Sequence, residues 1–132
     1  MREFTRLVSI MKKLLAPGGC PWDRRQSHST LLKYLREESA EFASAVRKKD
    51  YENMKEELGD ILLQVVFHSA LAEKNGRFSL KDVIRTLNSK LVRRHPHVFK
   101  KKGSLTEKQV LVQWEEIKKR EKKCKLKKNL RG

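Results

Sequence analysis

The sequence is poor in the features that mark several protein classes. It has two cysteines, Cys20 and Cys124, far apart along 132 residues. That excludes a disulfide framework and gives no zinc-ligand spacing, so a reducing cytoplasm is the expected compartment. No apolar run approaches membrane-spanning length. The N-terminus is basic and amphipathic, but Lys12 and Lys13 interrupt any signal-peptide core, and Cys20 after Pro17-Gly18-Gly19 makes a poor lipoprotein cleavage site. Strand-like alternation is missing throughout. Acidic residues are half as many as basic ones, 16 Asp and Glu against 32 Lys and Arg, for a formal net charge of +16. Such a balance favours polyanionic partners, whether nucleotides, nucleic acid or an acidic surface, without choosing among them. Residues 117–132 carry nine Lys/Arg and one Glu, half of the net charge.

What remains is helical periodicity. Phe4, Leu7, Val8, Met11, Leu14 and Leu15 fall on one face, and Pro17-Gly18-Gly19 ends that helix. A loop is expected over Cys20–His28, with Asp23, Ser27 and Ser29 as candidate caps for a second helix reaching about Arg47. Asp50 can cap a third, which Asn75-Gly76 terminates. Ser79-Leu80-Lys81-Asp82 reads as a capping box for a fourth helix carrying Leu80, Val83, Ile84, Leu87 and Leu91. Pro96 disfavours helix at His95, which ends it near Arg94. Lys100-Lys101-Lys102-Gly103 reads as an exposed loop. Ser104 to Glu107 can cap a last helix with Val110, Leu111, Trp114 and Ile117 on one face. One domain over residues 1–118 follows, with a basic, frayed tail at 119–132 where apolar residues thin out.

Two acidic stretches carry the chemistry. Glu38/Glu41 and Glu57/Asp60 are pairs at i, i+3, neighbours on a helix surface. Glu38 stands in the middle of the stripe formed by Leu31, Tyr34, Leu35, Phe42 and Ala45. Glu57 and Asp60 run along one flank of the stripe Met54, Leu58, Ile61, Leu62, Val65, Ser69 and Ala72. A hairpin turning at Lys48-Lys49-Asp50 would bring the pairs together. Glu37 and Glu56 point further outward and read as solvated. Four carboxylates on one apolar seam repel one another unless a cation lies between them, and hard oxygen ligands suit Mg2+, with Mn2+ as a substitute.

ExxE followed by ExxD across a helical hairpin resembles the MazG nucleotide pyrophosphohydrolases. Flanking stretches agree: Gly19-Cys20-Pro21-Trp22-Asp23, Glu57-Leu58-Gly59-Asp60-Ile61-Leu62-Leu63-Gln64, Gly76-Arg77-Phe78, Arg93-Arg94-His95-Pro96-His97-Val98-Phe99 and Trp114-Glu115-Glu116-Ile117-Lys118. The resemblance covers roughly residues 5 to 120. It implies an all-α, MazG-like bundle of four to five helices, completed by oligomerisation as a homodimer or homotetramer. It also implies Mg2+-dependent hydrolysis of (d)NTPs to (d)NMP and pyrophosphate, with clearance of non-canonical nucleotides as a role. Metal binding and catalysis fall on Glu38, Glu41, Glu57 and Asp60. Glu37 or one of the four would orient the attacking water.

Substrate contacts are open to two readings each. Lys90, Arg93 and Arg94 resemble the family's phosphate-side basic residues, but cations also suit a helix C-terminus. Trp22 and Arg25 lie before the metal-bearing helix; Trp22 can stack on a base or plug the bundle end. His68 reads as a core or supporting residue, and His95 and His97 as packing residues beside Pro96. The competing function is a non-catalytic basic helical module binding nucleic acid through its tail. The carboxylate cluster speaks against it, because acidic residues repel phosphate. The tail itself can bind RNA or DNA weakly or simply aid solubility; solubility is favoured because no aromatic follows Trp114 to stack on bases.

Overall fold

The structure, a computed structural model, describes residues 1–100 and 103–131, with only the backbone of Arg131. Part of the expected loop at Lys100-Lys101-Lys102-Gly103 and the end of the tail at Gly132 lie outside the described residues. These hold seven α-helices and no strand: α1 (Arg2–Leu15), α2 (Pro21–Arg25), α3 (His28–Lys48), α4 (Tyr51–Lys74), α5 (Leu80–Arg94), α6 (Pro96–Phe99) and α7 (Glu107–Arg131). The count exceeds four to five because α2 and α6 are single turns within expected loop and break segments. Each begins on its own proline, Pro21 and Pro96. A proline at the first helical position lacks only an N–H that would be unpaired anyway. No helix among the described residues is long and apolar enough to cross a membrane. Two compact units divide the chain, Met1–Val83 and Ile84–Gly132.

The first unit is built on the α3–α4 hairpin. Ser27 is the cap that α3 uses: its side chain accepts from the Thr30 N–H, and the Thr30 hydroxyl accepts from the Ser27 N–H. This reciprocal pairing satisfies two donors at once. At the other end Lys49 turns left-handed at φ 55°. The Asp50 N–H reaches back to the Ala45 carbonyl, and the Lys49 N–H to Val46. The helix thus closes in a Schellman turn, and Asp50 immediately caps α4 by accepting from the Asn53 N–H. A link this short forces the two helices antiparallel. Gly76, at φ 70°, ends α4 where the Asn75-Gly76 pair predicted.

Met11, Leu31, Val66, Phe67 and Leu71 form the core, with Leu7, Leu15, Tyr34 and Leu63 packed against it. This corrects one expectation. The apolar stripe assigned to α4 included Leu58, Leu62 and Val65, yet these are 50%, 39% and 41% exposed in the single chain. Glu57, Gln64, Phe67 and Leu71 are buried instead. From Ile61 to Phe67 the helix is apolar nearly all round, so periodicity cannot select the inward face. Gly19 after α1 is fixed by space, since a Cβ there would collide with the Leu14 carbonyl.

In the second unit Ile117 is buried on α7. Thr106 caps that helix by accepting from the Gln109 N–H, and the Gln109 side chain accepts from the Thr106 N–H. Expected to fray after residue 118, α7 runs unbroken to Arg131. Lys, Arg, Glu and Leu are strong helix formers, and no Pro or Gly interrupts the segment before Gly132.

Candidate metal centre

Glu38 and Glu41 on α3 face Glu57 on α4, and one carboxylate oxygen from each lies within 4.8 Å of the others. Asp60 is near enough for its charge to act on Glu38. Of the two expected pairs, the structure brings three carboxylates together, Glu38, Glu41 and Glu57, and Asp60 is not one of the three. Glu57 is buried and Glu38 half-buried, while Glu41 is exposed. Oε2 of Glu38 and Oε2 of Glu57 are buried without a hydrogen-bond partner among the described residues. Among the described residues, none of the four carboxylates takes part in an ion pair.

Such crowding has an electrostatic signature. The Glu38 carboxyl is pushed up to about 8. The first cause is the facing Glu57 carboxyl, beside which Glu38 keeps its proton; burial and the charges of Asp60, Glu41 and Glu57 add to it. A group of hard oxygen donors, two of them buried and unpaired, fits a divalent cation such as Mg2+ or Mn2+.

Other polar groups extend this seam, and sequence reading passed over most of them. Gln64 follows Asp60 by four residues and is buried, with Oε1 unpartnered. His68 follows by four more. Its Nδ1 lies 2.8 Å from Nδ1 of His28, and the two rings stack with centroids 5.0 Å apart. Burial and the nearby His28 hold the His68 pKa below its usual value. Residues 60, 64 and 68 recur at helical spacing, which was the available signal. The partnership with His28, forty residues away in sequence, had none.

Trp22 on α2 meets Tyr34 of α3 edge-on, with ring centroids 5.6 Å apart, and remains half exposed. Tyr34 lies one turn before Glu38, so α2 is anchored to the helix that carries Glu38 and Glu41. Arg25, at the end of α2, is exposed. Within the second unit, Arg93 and Arg94 converge on Glu121. Arg93 donates through Nε and Nη2 to Oε2, at 3.1 and 2.9 Å. Arg94 donates through the same two atoms to Oε1, at 3.2 and 3.1 Å. Glu121 had not been anticipated; it was hidden in a basic run. Lys90 has no ion-pair partner among the described residues. His95 and His97 have packing surroundings: His95 stands edge-on to Trp114, and Gln113 lies 3.0 Å from the His97 ring.

An all-α hairpin with facing acidic residues frames the site, and comparison with known proteins places the chain in a family. The MazG nucleotide pyrophosphohydrolase domain matches residues 26–99. A nucleoside triphosphate pyrophosphohydrolase/pyrophosphatase MazG of Thermotoga maritima is 55% identical over 119 residues, covering 90% of this chain and 45% of that protein. A nucleoside triphosphate pyrophosphohydrolase of Escherichia coli K12 is 41% identical, covering 89% and 45%. The crystal structure of a mazG-related protein from Thermotoga maritima superposes with a TM-score of 0.74 at 32% identity, over 87% of this chain and 98% of that one. This chain belongs to the MazG nucleotide pyrophosphohydrolase family. It spans less than half the length of the two curated relatives.

Proposed function

We propose that the chain hydrolyses nucleoside triphosphates to the monophosphate and pyrophosphate, with Mg2+ held by Glu38, Glu41, Glu57 and Asp60. The observation that carries this reading is the convergence of three carboxylates from two helices, with buried oxygens that no described residue satisfies. A divalent ion there would polarise the phosphate and acidify a bound water. The protein's part is positional. The α3–α4 packing holds the carboxylates together before any ligand arrives, so little reorganisation is needed at the reaction. Trp22, steadied by Tyr34, offers a flat face to a base. Lys90, Arg93 and Arg94, which belong to the second unit, are proposed as phosphate donors on their resemblance to the family's basic residues. The relatives' names support the substrate class, as does a chain rich in cations.

The product pattern is the test. Incubation with a triphosphate and Mg2+ should yield monophosphate and pyrophosphate together from the first time points, and EDTA should stop the reaction. Orthophosphate appearing first, with a diphosphate intermediate, would overturn the assignment. A panel of canonical and modified nucleotides in the same assay would reveal whether clearance of altered bases is the role.

We also propose that the outward flank of α4 is covered by a second copy of the chain. Leu58, Leu62 and Val65 recur at i, i+4 and i+7 on an exposed face, a spacing that suits helix-to-helix packing. Gly59 stands among them with open space where a Cβ would be. Sedimentation should report a dimer or tetramer at micromolar concentration, and Leu62→Glu should shift it to monomer. A wild-type monomer would dismiss this part while leaving the hydrolase reading intact.

A further inference from the structure

The second unit contains a concavity that shares only Arg93 with the residues of the hydrolase reading. About 540 Å³ of space lies between the α5–α6 corner and the middle of α7, within the range of small-molecule sites. Its apolar wall includes the buried Ile117. Arg93, Lys100, Arg120 and Lys125 also line it, together with Glu116 and Glu121.

These charges are not balanced. Glu121 is held by two guanidiniums, and that pairing, Arg94 first, keeps its carboxyl well below the ordinary range. The contact holds the Arg93 guanidinium through Nε and Nη2. Among the described residues, Lys100, Arg120 and Lys125 have no ion-pair partner. Cations gathered around a hollow repel one another, and low-dielectric walls concentrate their field on whatever enters. An anion relieves that repulsion, and Arg and Lys together suit phosphate oxygens. The space exceeds a bare phosphate, and its apolar wall offers contact for an organic body.

We propose that this cavity binds a phosphorylated small molecule of nucleotide size, without a divalent ion and separately from the carboxylate centre. Lys100, Arg120 and Lys125, which carry this site, have no part in the hydrolase assignment.

Cys124 provides a local reporter, because its thiol is exposed and lines the cavity, whereas Cys20 belongs to the other unit. The full chain is treated with iodoacetamide in EDTA, with and without AMP, and modification of each cysteine is followed by mass spectrometry. AMP should slow alkylation of Cys124 and leave Cys20 unchanged, and inorganic phosphate should protect at higher concentration only. The double variant Arg120→Glu/Lys125→Glu should weaken protection by about tenfold or more, as expected for lost charge-assisted contacts. Arg120→Gln/Lys125→Gln should weaken it too, should the reversal disturb folding. Lys127→Glu/Lys128→Glu makes the same charge change on the same helix outside the cavity lining and should retain protection. Absence of protection by AMP, equal losses in the two reversed pairs, or phosphate protecting as well as AMP would each overturn the proposal. Glu57→Gln should retain AMP protection, so a failed hydrolase reading and a failed cavity give different results.

Discussion

Glu57→Gln should lower the proposed pyrophosphate release by about 10²–10³-fold, the scale of losing one preorganised electrostatic partner in a closed site. The substitution keeps the side chain's shape and removes its charge. Glu57 is the most buried of the carboxylate trio, and its Oε2 has no hydrogen-bond partner. The same change should leave the fold intact, since it breaks no ion pair among the described residues and relieves repulsion with Glu38 and Glu41. In EDTA the variant should melt at or above the wild-type temperature. Steady-state pyrophosphate release and thermal unfolding, measured on one preparation, check both halves. Turnover within a few-fold of wild type would remove Glu57 from the metal centre. A collapse of stability would make its role structural.

The second large effect is a slope of stability with pH whose sign depends on metal. In the folded chain Glu38 holds its proton up to about pH 8, whereas its ordinary value is 4.5. Between those limits the folded state binds more protons than the unfolded one, so stability falls as pH rises. His68 acts in the opposite direction, because its lowered pKa means stability is lost as pH falls below its ordinary 6.5. Glu121, lowered chiefly by Arg94, loses its contribution only below 4.5. From pH 6.5 to 8 the Glu38 contribution is thus the one still changing among these groups. Denaturant melts in EDTA should show declining stability across that window. Glu38→Gln should flatten the decline, and saturating Mg2+ should reverse it, because the ion competes with the proton for the same oxygens. A metal-free profile that is level from 6.5 to 8 in the wild type would show that the carboxylates are not crowded in solution.

The parts of the centre legible in sequence were those where a local rule and a charge disagreed. Glu38 stood out because a carboxylate in the middle of an apolar stripe calls for a partner. The hairpin followed from Asp50 and from Asn75-Gly76, whose backbone preferences are strong enough to fix helix ends. By contrast, the inward face of α4 was hidden by residues 61–67, where apolar side chains point in nearly every direction. The continuation of α7 past residue 118 was missed because an apolar stripe was required of it, whereas helix propensity acts without one. The His28–His68 contact and the capture of Glu121 by two arginines join residues that no local pattern links.

The carboxylate trio and the His pair are carried by a single hairpin, His28–Lys74, whose helices are joined at Lys49-Asp50. This makes the centre portable in evolution. Fusions, duplications or insertions outside residues 28–74 leave the relative placement of Glu38, Glu41, Glu57 and Asp60 untouched, so the element can be copied into chains of different length. Tolerance should be lowest at the join. One residue added between Lys48 and Tyr51 would turn α4 by about 100° against α3, carrying Glu57 away from Glu38 while changing nothing in the composition of either helix.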